Sequence, residues 1–200
     1  MTRLLALLIF AGLATAARAA DLGDTLALCA ACHGDDGRGR AALGAPRLAG
    51  QYATYLADQL RGYRQGTRGV HPDDAMGATM RASAADLSDG DIDALAQHYA
   101  ALSPETERGD PAGESEGASL YAAHCSTCHG ADAKGRGSVY APNLTLLDRD
   151  YLLGQMQAYR EGWRGGETST TRARFMRGMA ALLDSDAEVE AVVEHITDER

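Results

Sequence analysis

The chain has 200 residues, of which 24% are charged and 45% are hydrophobic, and it carries a formal net charge of −9. This length allows one or two domains of ordinary size. The acidic balance argues against nucleic acid and against an anionic membrane surface as partners, because both would repel the chain. An acidic surface instead suits docking to a basic patch on another protein.

Residues 1–19 have the pattern of a signal peptide. Arg3 supplies a short positive region, Leu4–Leu13 is an apolar run, and Ala17–Ala19 reads Ala-Arg-Ala, which is a typical cleavage site. The apolar run is shorter than the roughly 20 residues that a membrane-spanning helix needs. We therefore expect export to the periplasm, cleavage after about Ala19 and a mature form without a membrane span. The alternative is an N-terminal anchor that is not cleaved.

The motif Cys-x-x-Cys-His occurs twice, at Cys29–His33 and at Cys125–His129. The two copies are offset by 96 residues, and much else recurs at that offset. The recurring pairs outside the motif include Pro46 with Pro142, Tyr63 with Tyr159, Arg68 with Arg164 and Met80 with Met176. The chain is therefore predicted to contain two copies of one unit, produced by internal duplication.

Two cysteines followed directly by histidine are typical of covalent haem attachment. The predicted thioether-forming residues are Cys29, Cys32, Cys125 and Cys128. The histidines that follow, His33 and His129, are placed to reach the iron as fifth ligands. Disulfides, zinc and redox thiols are the alternatives. A shared zinc ion would need pairs about 15–20 residues apart, and a thioredoxin-like pair would need a strand pattern that the sequence lacks.

The sixth iron ligand is predicted from the repeat. The candidates are Met76, Met80, Met176 and Met179. Met80 and Met176 correspond to each other, whereas Met76 corresponds to an arginine and Met179 to a serine. We therefore predict Met80 and Met176 as the ligands. A thioether opposite histidine raises the reduction potential, which suits an electron carrier. The alternative is a methionine that only fills the core.

Three helical stretches are predicted in each copy. The first runs into the cysteine motif, the second carries Tyr63 or Tyr159, and the third begins at a cap, Ser88 or Asp184. The third presents an apolar stripe: Ile92, Leu95, Ala96 and Tyr99 in the first copy, and Val189, Val192, Val193 and Ile196 in the second. No alternating strand pattern is present. The predicted class is all-α, with two tandem domains each wrapped around a covalent haem c.

Residues 103–117 contain prolines, glycines and glutamates, which predicts an exposed linker. The chain is thereby divided into a signal peptide at 1–19, a first domain at 20–102 and a second domain at 118–200. Each domain is small, and the whole chain has one tryptophan and two phenylalanines. We expect such a core to depend on a buried haem, and the haem-free protein to be largely unfolded.

Three repeated features are expected around each haem. The residues are, in pairs, Pro46 and Pro142, Arg68 and Arg164, and Tyr63 and Tyr159. A carbonyl at the proline turn is expected to accept the ring N–H of the ligand histidine. The arginines are candidate contacts for the haem propionates, and their alternative is a solvated helix face. The tyrosines are expected to pack either on the porphyrin or between helices.

Taken together, these residues resemble the cytochrome c4 family, the dihaem cytochromes c of the bacterial periplasm. The similarity covers nearly all of the chain after residue 19. It is carried by Cys-Ala-Ala-Cys-His-Gly, by Pro-Arg-Leu-Ala-Gly-Gln at 46–51 and by Met-Arg-Ala-Ser-Ala-Ala-Asp-Leu-Ser-Asp at 80–89. The resemblance implies two His/Met haems in two cytochrome c-like domains, related by a pseudo-twofold axis, with their propionate edges facing each other. One departure is Leu-Thr-Leu-Leu in the second copy, where the first has Leu-Ala-Gly-Gln.

The resemblance also implies that electrons pass from a membrane quinol-oxidising complex to a terminal oxidase or another periplasmic acceptor. The expected function is therefore an electron carrier with redox proteins as partners and no catalytic residues. The main rival is a small dihaem enzyme, such as a peroxidase or a sulfur-compound oxidoreductase, which needs an open or displaceable position at the iron. The other rivals are a cytochrome subunit of a dehydrogenase and a four-helix gas-binding cytochrome, whose attachment motif lies near the C-terminus.

Overall fold

The structure, a computed structural model, describes residues 22–103 and 113–197. The predicted signal peptide and most of the predicted linker lie outside the described residues. Within these two ranges the regular secondary structure is helical, apart from two isolated β-bridges. The all-α prediction is confirmed. No helix in the two ranges is long and apolar enough to span a bilayer.

The first half begins with the helix that carries the first cysteine motif. Its α-helices are α1 Leu22–His33, α2 Ala53–Arg64, α3 Ala75–Ala84 and α4 Asp89–Ala101. A short 3-10 turn at Ala41–Leu43 lies between α1 and α2. Helix α2 packs against both α3 and α4, and α4 also contacts α1. The second helix is therefore the centre of this half.

The second half repeats this order with one break. Its α-helices are α5 Glu116–His124, α6 Ser126–His129, α7 Arg149–Arg160, α8 Thr171–Ala180 and α9 Asp186–Thr197. Helices α5 and α6 together correspond to α1 and are separated at Cys125. Short 3-10 turns lie at Gly137–Val139 and Leu144–Leu146. Helix α9 packs on α5 and α7, and α7 also contacts α8.

The prediction of three helices per copy was incomplete, because each half has a further helix that carries the candidate methionine. These helices, α3 and α8, are mostly exposed, and neither contains a leucine, isoleucine or valine to mark a buried side. Side-chain caps define where they begin. Asp74 accepts a hydrogen bond from the backbone N–H of Gly77 at 2.7 Å, and Thr170 accepts one from Ala173 at 3.2 Å. Caps of this kind satisfy N–H groups that the helix leaves unpaired.

The predicted caps of the last helix in each half had different outcomes. Ser88 caps α4 and forms a capping box with Asp91, as expected. The Asp184 cap was wrong by one residue. In the second half, Ser185 Oγ accepts from the backbone N–H of Glu188 at 3.2 Å, while the Glu188 carboxylate accepts from the N–H of Asp184.

Each half has its own hydrophobic core, built on its last helix. The predicted apolar stripes are buried and are confirmed as core: Ile92, Leu95, Ala96 and Tyr99 on α4, and Val189, Val192, Val193 and Ile196 on α9. In the first half they pack with Leu56 of α2. In the second half they pack with Tyr121 of α5 and Leu152 of α7. The two units thus have separate cores.

The halves contact each other through a pair of buried amide hydrogen bonds. Gln51 Nε2 donates to the carbonyl of Asn143 at 3.0 Å, and the backbone N–H of Asn143 donates to Gln51 Oε1 at 2.8 Å. Thr54 Oγ1 also donates to the carbonyl of Gly137 at 2.9 Å. At the offset of 96, Gln51 corresponds to Leu147, which packs in the second core instead. The second copy has Leu-Thr-Leu-Leu where the first has Leu-Ala-Gly-Gln. Because of this difference, only the first half contributes this glutamine side chain, and the contact is one-sided.

Candidate haem sites

A cavity of about 550 Å³ lies in the second half, against the cysteine motif and α8. Cys125, Cys128 and His129 line it, and so does Met176 of α8. The lining also includes Tyr55 of the first half, so the cavity reaches the contact between the halves. The structure therefore brings together the residues that the sequence predicts for the second haem.

None of the four cysteines is disulfide-bonded, so the disulfide alternative is not supported. Among the described residues, no cluster of three or more His, Cys, Asp or Glu side chains could hold a metal ion, which also argues against zinc. Burial raises the pKa of the Cys29 thiol, and it raises that of Cys125 to about 11. Two thiols at this spacing can each add across a haem vinyl group, forming a C–S bond.

Both motif histidines are buried and held by a backbone carbonyl. His33 Nδ1 donates to the carbonyl of Pro46 at 2.9 Å, and His129 Nδ1 donates to that of Pro142 at 3.2 Å. The expected contact with the proline turn is confirmed in both halves. Burial lowers the pKa of both rings, which favours neutral imidazole. With Nδ1–H bonded to a carbonyl, the lone pair on Nε2 is available to iron.

The candidate methionines lie on the two short helices. Met80 is half-buried on α3, and Met176 is half-buried on α8. Met179 lines the same cavity as Met176, whereas Met76 is 54% exposed. The preference for Met176 over Met179 therefore still depends on the repeat and stays a prediction.

Arg68 and Arg164 meet at the contact between the halves. Arg68 donates to Gln59 Oε1 at 2.6 Å and to Gln155 Oε1 at 2.9 Å. Arg164 donates to the same two oxygen atoms, each at 2.6 Å. These four side chains form a closed cycle, here called the Arg–Gln ring, to which each half contributes one arginine and one glutamine.

Each guanidinium of the Arg–Gln ring also lies over a tyrosine of its own half. The Cζ atom of Arg68 is 4.4 Å from the ring centroid of Tyr63, and that of Arg164 is 4.5 Å from Tyr159. Burial raises the pKa of both tyrosines, so they are neutral and present a π face to the cation. Tyr159 lines the cavity as well. It therefore packs under the arginine while facing the predicted haem.

The Arg–Gln ring fits the negative charge of a haem propionate. Arg68 and Arg164 are only 8% and 6% exposed, so the alternative of a solvated helix face is wrong. Their hydrogen-bond acceptors within the described residues are amide and phenol oxygens rather than carboxylates. Two buried cations side by side are costly unless an anion compensates them. Arg164 lines the cavity, so a carboxylate there would meet this cation.

The glutamines of the Arg–Gln ring were missed by sequence reasoning, although a signal was present. Gln59 and Gln155 correspond to each other at the offset of 96, and each lies four residues before a repeated tyrosine. A glutamine within a helix is usually solvated, so composition alone gave no reason to select it. Testing every repeated polar position, rather than only charged or aromatic ones, would have found the pair.

The Cytochrome c family model matches residues 20–102 and again residues 114–198. Cytochrome c4 of Stutzerimonas stutzeri is 30% identical over 207 residues, which cover 98% of this chain and 96% of that protein. The chain belongs to the cytochrome c4 family. A crystal structure of reduced cytochrome c4 from Pseudomonas stutzeri has a TM-score of 0.69 and 28% identity, and the match covers 90% of this chain and 99% of that one. The resemblance noted in the sequence is confirmed.

Two further relatives are connected with thiosulfate dehydrogenase. A thiosulfate dehydrogenase electron acceptor of Thiomonas intermedia is 34% identical over 179 residues, which cover 84% of this chain and 76% of that protein. The structure of thiosulfate dehydrogenase TsdBA from Marichromatium purpuratum has a TM-score of 0.65 and 31% identity. That match covers 86% of this chain but 36% of the TsdBA chain.

The family match and the two Cys-x-x-Cys-His motifs together establish two covalently bound haem c groups. This family member is therefore a dihaem c-type cytochrome. Each haem supplies one iron that changes between the ferrous and ferric states by one electron. The protein's contribution is to bind, orient and shield these two groups.

Proposed function

We propose that this dihaem cytochrome carries electrons in the periplasm between a quinol-oxidising complex and a terminal oxidase or another acceptor protein. The observation that carries the proposal is the Arg–Gln ring. It lies at the contact between the halves, beside the second haem cavity, and both halves contribute to it equally. If each haem places a propionate at this ring, electrons could pass between the two haems there, and donor and acceptor could dock on different halves.

The side chains that would hold the two irons in this proposal are those of His33 with Met80, and of His129 with Met176. A histidine whose Nδ1–H is bonded to a carbonyl is fixed in orientation, and a thioether on the opposite side favours the ferrous state. With both irons held in this way, no position would remain open for a substrate. The chain would then perform no bond-making chemistry of its own, which would distinguish it from a peroxidase.

Arg68 and Arg164 act in this proposal as the propionate contacts. Each guanidinium bonds to glutamines of both halves, so a propionate of either haem would meet the same pair of cations. Arginine suits this role because its fork of N–H donors matches a carboxylate. Such contacts would link the two haems through one charged cluster.

Periplasmic location is part of the proposal and depends on residues 1–19. Expression in a host with a periplasm and a cytochrome maturation system should yield a soluble protein whose mass lacks those residues. Intact-mass spectrometry of the purified protein measures this. Recovery of the full-length chain from the membrane fraction would favour the uncleaved anchor.

Carbon monoxide tests whether the protein is a carrier. Reduced protein should bind carbon monoxide at neither haem, because methionine occupies each sixth position. A redox titration should show two reversible one-electron steps. Rapid, tight binding of carbon monoxide to either haem would contradict the proposal and favour an enzyme.

A second candidate function is electron acceptance from thiosulfate oxidation, either as a free acceptor or as the cytochrome subunit of a dehydrogenase. The specific observation in its favour is the 34% identity to the Thiomonas intermedia acceptor. This function uses the same two haems and differs only in the donor.

Mixing experiments separate the two candidates. The oxidised cytochrome should stay oxidised with thiosulfate alone, since it has no open iron for that reaction. Addition of thiosulfate dehydrogenase from Thiomonas intermedia should reduce both haems within seconds if the second candidate is correct. Reduction by thiosulfate without added enzyme would instead identify the chain itself as an oxidoreductase.

A further inference from the structure

The helix that carries Met176 is attached to the opposite half by an ion pair. Arg172 of α8 forms this pair with Asp58 of α2, which belongs to the first half. The guanidinium of Arg172 also lies over the ring of Tyr140, with its Cζ atom 3.8 Å from the ring centroid. All three residues line the cavity of the second half. The Asp58–Arg172 pair therefore joins the first half to the wall of the second haem cavity.

Arg172 and Met176 lie on the same side of α8. They are four residues apart, and this spacing in an α-helix places two side chains next to each other. Both residues line the cavity, where Met176 is half-buried. Arg172 is in the first turn of α8, so a contact that fixes Arg172 also limits the movement of the helix that carries Met176.

Asp58 is itself held by the Arg–Gln ring. Its Oδ1 atom accepts a hydrogen bond from Arg172, and its Oδ2 atom accepts one from Gln59 Nε2 at 3.1 Å. The Oε1 atom of Gln59 accepts from Arg68 and Arg164. The side chain of Asp58 is only 13% exposed. A continuous polar chain thus connects the predicted propionate contacts with the methionine helix of the second half.

The first half has none of these three residues at the matching positions. The counterparts at the offset of 96 are uncharged, namely Met76 for Arg172, Gly154 for Asp58 and Gly44 for Tyr140. The sulfur of Met76 lies beside Gly44, 3.1 Å from the place of a Cβ atom, and Met76 is 54% exposed. Met76 therefore takes the place of Arg172 without a charge that could bond across the halves.

The loops before the two methionine helices do not create this difference. Ser169, before α8, donates to the carbonyl of Thr67 in the first half at 3.0 Å. His71, before α3, stacks on Trp163 of the second half, with ring centroids 5.3 Å apart. Each loop thus contacts the opposite half. Within the described residues, α8 adds an ion pair to that half and α3 adds none.

We infer that Asp58 and Arg172 are positioning residues for Met176, and that they make this methionine harder to displace from its haem than Met80 of the first half. This inference rests on the proposed ligation by methionine. Movement of α8 away from the cavity must break the Asp58–Arg172 pair, whereas α3 has no such restraint. The difference is modest, because the side chain of Arg172 is 48% exposed and pairs of this kind contribute little free energy.

Imidazole titration of the ferric dihaem protein tests the inference. Imidazole competes with methionine for the iron, and in a proton spectrum the hyperfine-shifted methyl signal of each bound methionine reports on its own haem. Met80→Ala and Met176→Ala assign the two signals. The Met80 signal should disappear at an imidazole concentration roughly threefold lower than the Met176 signal. Equal concentrations or the reverse order would overturn the inference.

Substitution of Asp58 separates positioning of Met176 from general stability. Asp58→Asn removes the charge and keeps the size of the side chain. It should lower the imidazole concentration that displaces Met176 by roughly threefold and leave that for Met80 unchanged. Asp58→Glu keeps the charge and should retain the wild-type order.

Asp93→Asn is the matched control for the loss of one negative charge. Asp93 forms an ion pair with Arg61 inside the first half, away from α8. This substitution should change neither imidazole concentration. The same change with Asp93→Asn as with Asp58→Asn, or an equal change at both haems with Asp58→Asn, would overturn the inference.

Amide hydrogen exchange of the intact dihaem protein provides a readout on the backbone. Asp58→Asn should speed the exchange of α8 amides by roughly threefold and leave α3 amides unchanged, because only α8 loses a restraint. Faster exchange in both helices, or in neither, would overturn the inference. If instead the ferric wild-type protein shows no bound-methionine signal at the second haem, the proposed ligation fails and this inference fails with it, whatever the exchange rates.

Discussion

At matching positions of the two halves, the residues predicted to hold a haem are the same, whereas many residues at the contact between the halves differ. Gln51 crosses to the second half, but its counterpart Leu147 stays in its own core. Asp58 binds Arg172 across the contact, but the equivalent of Asp58 is Gly154, which faces open space. The comparison teaches that duplication preserved the predicted haem-binding residues and the Arg–Gln ring, and changed other contacts between the halves.

A second difference concerns the backbone near the second haem cavity. Gly44 and Tyr140 are equivalent, and both have a left-handed backbone, with φ of 63° and 61°. This conformation is unfavourable for a residue with a Cβ. Tyr140 lies under the guanidinium of Arg172, which also binds Asp58 of the other half. The strained residue is thus held by a contact that joins the halves and that the first half lacks.

The largest expected effect comes from removing one haem. Cys125→Ala with Cys128→Ala should leave one haem per chain and unfold the second half, a loss on the order of the 5 kcal/mol that stabilises a small domain. The reason is that a small core poor in aromatic residues depends on the buried group. Haem content and circular dichroism measure both changes.

The matched variant, Cys29→Ala with Cys32→Ala, should do the same to the first half. A second half that stays fully folded after losing its haem would show that its core is sufficient alone. That outcome would show that the two halves do not depend on their haems to the same extent.

The next effect tests the axial ligands. Met80→Ala and Met176→Ala should each lower the potential of one haem by a large part of the roughly 0.8 V range that axial ligands set. Each should also open that haem to carbon monoxide. Spectroelectrochemical titration of the variants measures the shift.

Met76→Ala and Met179→Ala are the controls and should leave both potentials unchanged. The Met179 control is the more informative, because this residue lines the same cavity as Met176. A fall in potential with Met179→Ala and none with Met176→Ala would reassign the ligand.

A smaller effect is expected at the one-sided amide contact. Gln51→Ala removes two buried hydrogen bonds and leaves the backbone groups of Asn143 unpaired, which should reduce the free energy of unfolding by about 1–3 kcal/mol. Urea titration of the dihaem protein, followed at each haem, gives this value. Leu147→Ala should instead destabilise only the second half, by about 2–5 kcal/mol for a buried leucine. Equal effects of both substitutions on both halves would show that the contact is not one-sided.

The smallest effect would come from making the two sides of the contact alike. Gly154→Asp with Met76→Arg copies the Asp58–Arg172 pair onto the opposite side, where the glycine faces open space. Because such a pair is partly exposed, we expect a gain of about 0.2–1 kcal/mol over Gly154→Asp alone. Thermal unfolding of the two variants measures the difference. A loss of stability would mean that the halves are not related by the expected pseudo-twofold axis.

Features that recur in both copies could be predicted from the sequence. Contacts between the two copies could not. Motif spacing identified the cysteines and histidines, and the proline turn predicted the carbonyl that orients each histidine. Helices α3 and α8 were missed because they contain no leucine, isoleucine or valine to mark a buried side, and side-chain caps define where they begin. The Asp184 cap failed by one position because the last helices of the two halves correspond at an offset of 97 rather than 96, as their capping residues Ser88 and Ser185 show.

The Arg–Gln ring could not be predicted in full because it is a property of two copies together. The repeat pointed to Arg68 and Arg164, but only the fold places both beside Gln59 and Gln155. In the same way, Gln51 was noted only as a departure from the second copy, and its partner Asn143 lies 92 residues away. Such distant polar pairs leave no periodic pattern in the chain.

The most direct measurement of the central claim is a proton spectrum of the fully reduced protein. Iron-bound methionine methyl groups lie over the porphyrin and are shifted far upfield by its ring current. We predict two such methyl signals per chain, one removed by Met80→Ala and the other by Met176→Ala. A single upfield methyl signal, none, or two that survive both substitutions would contradict the claim that both irons are held between histidine and these methionines.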